Sequence, residues 1–155
     1  MPESEPNNAP IYYNSEYLHG VDDKRRLQIP SKWRPEHGDC GFTLILWPNG
    51  GNKEACLLAL PEEIWATLVN KVKQMPFSDP KADSLRRLLG RKSDTVVLDR
   101  SGRICLPEAM AKATGIDKQA KLIGLLDRFQ IWSPDRLSEV SKVDESLSNE
   151  AFQLI

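Results

Sequence analysis

The chain has 155 residues, of which 40% are hydrophobic and 28% are charged, and its formal net charge is -1. This length and composition are sufficient for a buried core, in one domain or in two closely joined halves. The longest apolar stretches are strand-sized, far shorter than the roughly 20 residues of a membrane span, and the acidic N-terminus is unlike a signal peptide, so we expect a cytoplasmic protein without a membrane partner.

The first half is predicted to span residues 11–76, after a disordered N-terminal tail at residues 1–10. Its predicted elements are an extended segment at 11–19, two short strands around a turn, a short helix after Pro30, and a hairpin with strands at 42–47 and 55–60. Alternating apolar residues indicate the strands. Pro61 begins a helix whose apolar stripe ends near Pro76.

A connector helix is predicted at residues 77–92, because Asp79-Pro80 is a helix-start signal and Gly90 is typical of a helix end. The second half spans residues 93–143, and residues 144–155 form a C-terminal tail. Its predicted elements are another strand-turn-strand unit, a helix over 108–114 capped by Gly115, a hairpin with strands at 121–126 and 129–132, and a helix starting at Pro134. These elements predict an α+β protein rich in β-structure, built as two matching halves.

One short pattern occurs in both halves. Residues 21–30 and 98–107 each read apolar, Asp, three polar or turn-forming residues, Arg, then apolar-x-apolar-Pro, and Asp22 and Asp99 lie 77 residues apart. This period is too long for a solenoid repeat and is typical of a duplicated small domain. Each copy sets basic side chains on a tight turn between two strands, where they can reach a large anionic partner.

The near-neutral total charge hides two basic segments. Residues 22–34 carry an excess of three bases and residues 81–103 an excess of four, whereas both ends of the chain are acidic. Where the charge lies decides which partner it attracts, and these segments are centred on the repeated motifs. The alternative is that they are ordinary solvated charges. Two connector arginines, Arg86 and Arg87, are compatible with solvent, a neighbouring subunit or a phosphate backbone.

Residues that could support catalysis or metal binding are few. Cys40, Cys56 and Cys105 are odd in number and lack Cys-x-x-Cys spacing, which argues against a disulfide framework and a zinc ribbon. His19 and His37 have neither metal-ligand spacing nor a nucleophile motif beside them. We therefore expect no enzymatic activity, no cofactor, no metal and no small-molecule substrate.

The two Asp-x-x-x-Arg turns, their Ile29-Pro30 and Leu106-Pro107 exits and the segment Asp127-Arg128-Phe129-x-Ile131-Trp132 resemble the MraZ family of bacterial transcriptional regulators. The resemblance covers roughly residues 13–143. It implies two tandem, pseudo-symmetric β-barrels of the AbrB/SpoVT swapped-hairpin type, assembled into a ring-shaped homo-oligomer. It also implies a nucleoid-associated protein that binds double-stranded DNA at short direct repeats upstream of the division and cell-wall gene cluster.

The resemblance assigns DNA binding to the motif turns. The residues it implies are Lys24, Arg25, Arg26, Arg100 and Arg103. Arginine can hydrogen-bond bidentately to a guanine edge or pair with phosphate. Phosphate would repel a carboxylate, so Asp22 and Asp99 are interpreted as turn braces that accept backbone N–H bonds or orient the arginine four residues on. In the alternative interpretation the Asp-Arg pair is a structural clasp that touches no ligand.

One residue departs from the family pattern, which usually has glycine in both turns. Arg25 stands where the second copy has Gly102. If the turn needs positive φ there, arginine is strained by about 1 kcal/mol or more, unless the turn relaxes or the added charge offsets the strain by contacting phosphate. We expect the first motif to dominate DNA contact and the second to hold the more regular turn. The alternative function is a non-catalytic, ring-forming scaffold whose basic turns serve subunit contacts.

Overall fold

The computed structural model describes residues 10–35, 40–48 and 54–155. Its strands are β1 (Glu16–Gly20), β2 (Arg26–Gln28), β3 (Gly41–Pro48), β4 (Glu54–Pro61), β5 (Ser93–Val97), β6 (Arg103–Cys105), β7 (Gln119–Gly124) and β8 (Phe129–Trp132). Its helices are α1 (Glu62–Lys73), α2 (Pro80–Lys92), α3 (Glu108–Thr114) and α4 (Pro134–Phe152), with a short 3-10 helix at Ser31–Trp33. The protein is therefore α+β and rich in strands, as predicted. The expected disordered tail, apart from Pro10, lies outside the described residues.

The main sheet interlocks the two halves of the chain. Its six strands run in the order β1-β7-β8-β4-β3-β5, and each is antiparallel to its neighbours. The hairpins β3-β4 and β7-β8 form the middle, while the leading strand of each half pairs with the hairpin of the other half. This order reads the same when the halves are exchanged, so the sheet has a pseudo-two-fold arrangement.

The two β-barrels implied by the resemblance are not found in the described ranges. The strands there form an open six-stranded sheet and a separate two-stranded ribbon of β2 and β6. A half that gives its leading strand to the other half cannot close its own set of strands into a barrel. The division into residues 11–76 and 93–143 stays a prediction about repeats in the sequence.

The core joins the ribbon to the sheet. Trp33, Phe42 and Phe129 are at most 1% exposed, and the ring of Phe129 lies 4.9 Å from that of Trp33 and 5.0 Å from that of Phe42. Leu27 and Ile104 of the ribbon belong to the same buried cluster. Burial of these large side chains fixes the ribbon and the 3-10 helix against the sheet.

Most helix boundaries agree with those predicted from local sequence signals. Helix α2 begins after Asp79, whose side chain accepts the backbone N–H of Lys81 at 2.9 Å. Helix α3 covers the predicted residues and ends at Gly115 in the left-handed conformation, with φ 71. Such a residue at a helix end favours glycine, which lacks a Cβ. No described helix is long and apolar enough to cross a membrane.

Two helix ends differ from the predictions. Helix α2 continues past Gly90 to Lys92, directly before β5. Helix α4 continues to Phe152, so most of the segment expected as a tail is helical. Glycine lowers helix stability without forbidding a helix. In α4 the apolar residues Val140, Val143 and Leu147 continue at helical spacing, a signal that the prediction of a tail did not use.

Arg86 attaches the connector helix to the end of α1. Its Nη2 donates to the carbonyl oxygens of Val72 at 3.2 Å and Met75 at 2.7 Å, and its guanidinium lies 4.8 Å from the centre of the Phe77 ring. The last carbonyl groups of a helix lack partners within the helix, and here arginine supplies donors for them. Arg86 thus has a structural role.

Candidate nucleic-acid interface

The first motif forms a turn built around the carboxylate of Asp22. One oxygen, Oδ1, accepts the backbone N–H groups of Lys24 at 3.0 Å and Arg26 at 2.8 Å. The other oxygen, Oδ2, accepts from Nε of Arg26 at 2.6 Å. Both carboxylate oxygens are therefore used inside the turn, and the guanidinium of Arg26 is held in one direction.

The second motif repeats this arrangement. Oδ1 of Asp99 accepts the backbone N–H groups of Ser101 and Arg103, both at 2.9 Å. Oδ2 accepts from Nε of Arg103 at 3.1 Å. Each aspartate therefore braces its turn and orients its arginine at the same time. The two roles considered for the carboxylate are thus both present.

The same bonds keep both carboxylates ionised. The backbone N–H of Arg26 is the main cause that holds the pKa of the Asp22 carboxyl below its ordinary value, and the backbone N–H of Arg103 does the same for the pKa of Asp99. Hydrogen bonds donated to the charged form favour that form. At neutral pH each arginine thus faces a fully charged partner.

The ribbon brings the two motifs onto one surface. In its antiparallel register Arg26 lies opposite Cys105 and Arg103 lies opposite Gln28, and opposite residues share a face. The central pair, Leu27 and Ile104, points the other way and is fully buried. The outer face of the ribbon therefore carries Arg26, Gln28, Arg103 and Cys105.

The arginines on this outer face remain accessible. The side chain of Arg26 is 36% exposed and that of Arg103 is 31% exposed. Each uses its single Nε–H on the aspartate, and its four terminal N–H donors have no hydrogen-bond partner within the described residues. Lys24 and Arg100 lie exposed at the tips of the two turns. These four cations all remain available to an outside ligand.

Side chains of the ribbon tie each turn to the opposite strand. Nε2 of Gln28 donates to the carbonyl oxygen of Ser101 at 2.8 Å. At the equivalent place in the first turn, Sγ of Cys105 lies 3.3 Å from the carbonyl oxygen of Lys24. The hydrogen bond from the Gln28 amide is the stronger of the two, because a thiol is a weak donor.

Arg25 keeps the left-handed conformation of the turn and uses its side chain inside the protein. Its φ is 61 and that of Gly102 is 78, so the first turn does not relax. The backbone N–H of Leu106 donates to the carbonyl of Arg25 at 2.8 Å, and Nε of Arg25 donates back to the carbonyl of Leu106 at 3.0 Å. This pair of bonds joins the first turn to the strand exit of the second motif.

Arg34 lies against the second turn, a position that the sequence reasoning missed. A Cβ added to Gly102 would come within 2.7 Å of Cζ of Arg34. Glycine is favoured here by its positive φ, and any side chain at this position would have to displace the guanidinium end of Arg34. The sequence did place Arg34 in a basic segment. It did not show that this segment packs against the turn of the other half, because local patterns do not reveal contacts between the halves.

The described part of the chain contains no group of three or more His, Cys, Asp or Glu side chains that could hold a metal ion. The chemistry of the outer face is that of guanidinium and ammonium donors. Such donors suit an anionic or acceptor-rich ligand. Of the sequence-predicted cations, Arg26 and Arg103 lie on one face of the ribbon, Lys24 and Arg100 are exposed at the turn tips, and Arg25 bonds to the strand exit.

Comparison with known proteins identifies related sequences. The family model described as "MraZ protein, putative antitoxin-like" matches residues 91–153. A "Transcriptional regulator MraZ" from Clostridium tetani is 35% identical over 124 residues, which cover 80% of this chain and 83% of that protein. Proteins of the same name from Thermomicrobium roseum and Roseiflexus sp. are 32% and 33% identical, covering 77% and 86% of this chain and 80% and 90% of those proteins.

These relatives match at least three quarters of this chain. The family consists of transcriptional regulators and not of enzymes, which confirms the predicted absence of catalytic activity. The resemblance noted from the paired turns and the Asp127-Arg128-Phe129 segment is also confirmed. The chain belongs to the MraZ family.

Proposed function

We propose that this protein is a sequence-specific, DNA-binding transcriptional regulator that reads DNA with its β2-β6 ribbon. The observation that carries this proposal is the outer face of the ribbon, where Arg26 and Arg103 are held by aspartates and keep their terminal amino groups available. The major groove of B-DNA admits a two-stranded β-ribbon. Arginine bound to O6 and N7 of guanine is the commonest specific contact there.

The cations of the two turns divide between base and phosphate contacts. Arg26 and Arg103 are each neutralised by a carboxylate, so their value lies in directed hydrogen bonds to base edges. Lys24 and Arg100 have no carboxylate partner in the described part of the chain and lie at the turn tips, which suits them to phosphate oxygens. This division follows the general rule that phosphate contacts position a protein and base contacts specify the sequence.

Arg25 belongs to the joint between the motifs in this proposal. Its Nε donates to the carbonyl of Leu106, so Arg25 holds the first turn against the second motif. The terminal N–H groups of Arg25 have no hydrogen-bond partner in the described part of the chain, so the predicted DNA contact of the run Lys24-Arg25-Arg26 is kept for all three residues.

We also propose that copies of the chain assemble into a ring that presents several ribbons to short direct repeats. An apolar groove of about 580 Å³ beside Tyr12 and Leu126 and exposed apolar side chains on α4, Val143 and Leu147, support self-association. Multivalent binding to repeated sites raises affinity without new contacts. Multi-angle light scattering is expected to give a multiple of the chain mass, and a monomer mass contradicts the ring.

We propose that this regulator acts in the cytoplasm, where it associates with the nucleoid. Its proposed target is a set of repeats upstream of the division and cell-wall gene cluster. Fluorescence anisotropy with a duplex from upstream of its own gene tests DNA binding, with a scrambled duplex of equal length beside it. Affinity should fall steeply with salt, because each neutralised phosphate releases counterions.

Two variants test the reading role of the ribbon. Arg26→Ala and Arg103→Ala should each weaken binding about 5- to 150-fold and reduce the preference over the scrambled duplex, because one bidentate contact is worth roughly 1–3 kcal/mol. The control is Arg87→Ala, which removes the same charge from α2, where Arg87 lies 3.4 Å from Asp83. That control should bind like the wild type.

The alternative is a ring-forming scaffold without a nucleic-acid ligand. If the wild-type protein fails to bind the upstream duplex even at low salt, DNA binding is wrong and the scaffold function takes its place. If Arg87→Ala weakens binding as much as Arg26→Ala, the ribbon is not the reading element.

A further inference from the structure

Two pockets lie beside the motif turns, and each is formed with the short helix of the other half. The pocket at the first turn is lined by the turn and by α3, and it has a volume of about 540 Å³. The pocket at the second turn is lined by the turn and by the 3-10 helix, and it has a volume of about 260 Å³. The pseudo-two-fold arrangement makes them equivalent in place, yet they differ in charge.

The second pocket has an excess of positive charge. Its polar side chains are those of Ser31, Arg34, Asp99 and Arg100. The carboxylate of Asp99 already accepts three hydrogen bonds within its own turn. It is therefore committed to the turn, and two guanidinium groups face a cavity with no other carboxylate among its described lining residues.

Arg34 and Arg100 lack the partners that cations of this kind normally have. Nε of Arg34 is buried and makes no hydrogen bond in the described part of the chain. Arg100 is exposed and is likewise without a hydrogen-bond or ion-pair partner there. A buried donor without a partner is costly and rare in native proteins. Nε of Arg34 is closed off from solvent, so an anion in the pocket would reach this guanidinium through its terminal nitrogens, beside that of Arg100.

The first pocket provides the contrast. Its charged lining residues are Asp22, Asp23, Glu108 and Asp117 against Arg25, Lys112 and Lys118. Nε of Arg25 is bonded to the carbonyl of Leu106, and Nζ of Lys112 lies 3.2 Å from Glu108. Asp22 is committed to its own turn just as Asp99 is, and the remaining acids and bases of this pocket balance, so it has no excess of positive charge to attract an anion. The duplicated fold has thus built an anion pocket at one turn only.

We propose that the pocket formed by Ser31, Arg34 and Arg100 binds a phosphate group of the DNA backbone. The inference rests on the proposed DNA-binding function. A guanidinium donates two parallel N–H bonds to phosphate oxygens, and the hydroxyl of Ser31 is a further donor. Because Arg103 projects from the same turn, a phosphate held in the pocket would anchor this turn on the DNA backbone. The second motif is then the stronger anchor, opposite to the order expected from the count of basic residues.

The salt dependence of DNA binding tests this phosphate site. Arg34→Gln and Arg100→Gln should each lower the slope of log affinity against log salt by up to roughly 0.9, the value of the single phosphate contact that the two arginines share. The ratio of affinities for the upstream and scrambled duplexes should stay unchanged, because the contact carries no sequence information. Lys112→Gln, which removes a charge from the equivalent pocket, is the matched control and should leave the slope unchanged.

A second measurement separates this site from the DNA-binding function as a whole. Inorganic phosphate is added to the wild-type protein, and the side-chain NMR signals of its arginines are followed. The Nε signal of Arg34 should shift, and that of Arg25 should not. Arg100 lies on an exposed turn tip, so its variant should fold even if the Arg34 variant does not.

Each outcome decides the proposal. If the wild-type protein binds DNA and neither variant changes the salt slope, the phosphate site is wrong while DNA binding stands. If the wild-type protein does not bind DNA, the proposed function fails and the pocket cannot hold a backbone phosphate. A shift of the Arg34 signal then identifies a site for free phosphate, and an unchanged signal excludes both sources.

Discussion

The two motif turns share their backbone hydrogen bonds but fill the space beside them differently. In the first turn the left-handed position is occupied by Arg25, with φ 61. In the second turn that position is Gly102, and Arg34, which follows the 3-10 helix, lies where a Cβ would be. An arginine therefore packs against each turn, from the turn itself in one case and from the opposite half in the other.

This difference changes which cations can meet a ligand. A left-handed arginine costs roughly 1–2 kcal/mol in the folded protein, and the bond from Nε of Arg25 to Leu106 offsets part of that cost. The glycine of the second turn carries no such strain, and Nε of Arg34 stays without a hydrogen-bond partner in the described structure. Duplicated motifs can thus keep one geometry while their surroundings specialise.

The largest effect is expected from Gly102→Ala. This change places a Cβ at φ 78 and against the guanidinium of Arg34. The free energy of unfolding should fall by roughly 2–5 kcal/mol, from about 1–2 for the left-handed conformation and about 1–3 for the overlap. Urea denaturation followed by circular dichroism measures this loss.

The matched control is Gly90→Ala in helix α2, where an added Cβ meets nothing within 4 Å. This variant should be more stable by about 0.5–1 kcal/mol, because alanine favours the helix. Combining Gly102→Ala with Arg34→Ala should recover the part of the loss caused by overlap. A Gly102→Ala protein as stable as the wild type would show that the second turn does not need glycine.

The next effect separates strain from hydrogen bonding at Arg25. Arg25→Ala keeps the left-handed position and removes the bond to Leu106, whereas Arg25→Gly removes the bond and the strain together. The glycine variant should therefore exceed the alanine variant in unfolding free energy by about 1 kcal/mol. Equal midpoints in urea would mean that the two turns do not share the same backbone requirement.

Local sequence patterns predicted the elements of this fold well and their assembly poorly. The hairpins, helix α3 with its Gly115 cap and the helix start at Asp79 follow from short-range chemistry that the chain displays directly. Pairing of β1 with β7 depends on residues such as Leu18 and Lys121 in different halves. Nothing in a local pattern encodes that register, so an interlocked sheet was not predicted.

The candidate site shows the same limit. Asp22 and Asp99 could be interpreted as braces from spacing and charge alone, because their partners lie within four residues. Arg34 could not be placed, because the turn that it covers belongs to the other half of the chain. The direction of the Arg25 side chain could not be predicted either, since its hydrogen-bond acceptor is the backbone carbonyl of Leu106 in the second motif.

A smaller difference is expected between the side chains that cap the turns. The side-chain amide of Gln28 donates a hydrogen bond to the carbonyl oxygen of Ser101 at 2.8 Å. The thiol of Cys105 lies 3.3 Å from the carbonyl oxygen of Lys24. Gln28→Ala should lower the unfolding free energy by about 0.5–1 kcal/mol, and Cys105→Ala should change it by less. Urea denaturation of both variants decides this, and equal losses would make the two caps equivalent.

The smallest effect is expected from acid, because the carboxylates of Asp22 and Asp99 are partly exposed and screened by water. Their pKa values are lowered in the folded protein, so the unfolded chain binds protons first as the pH falls. Their contribution to stability is complete above the ordinary carboxyl pKa of about 4 and is lost as the pH falls through the lower folded pKa. Asp22→Asn and Asp99→Asn should each flatten the decline in thermal midpoint below about pH 4, and by similar amounts, since both turns use the same three hydrogen bonds. A flattened decline in one variant alone would mean that only one of the two turns depends on its charged brace.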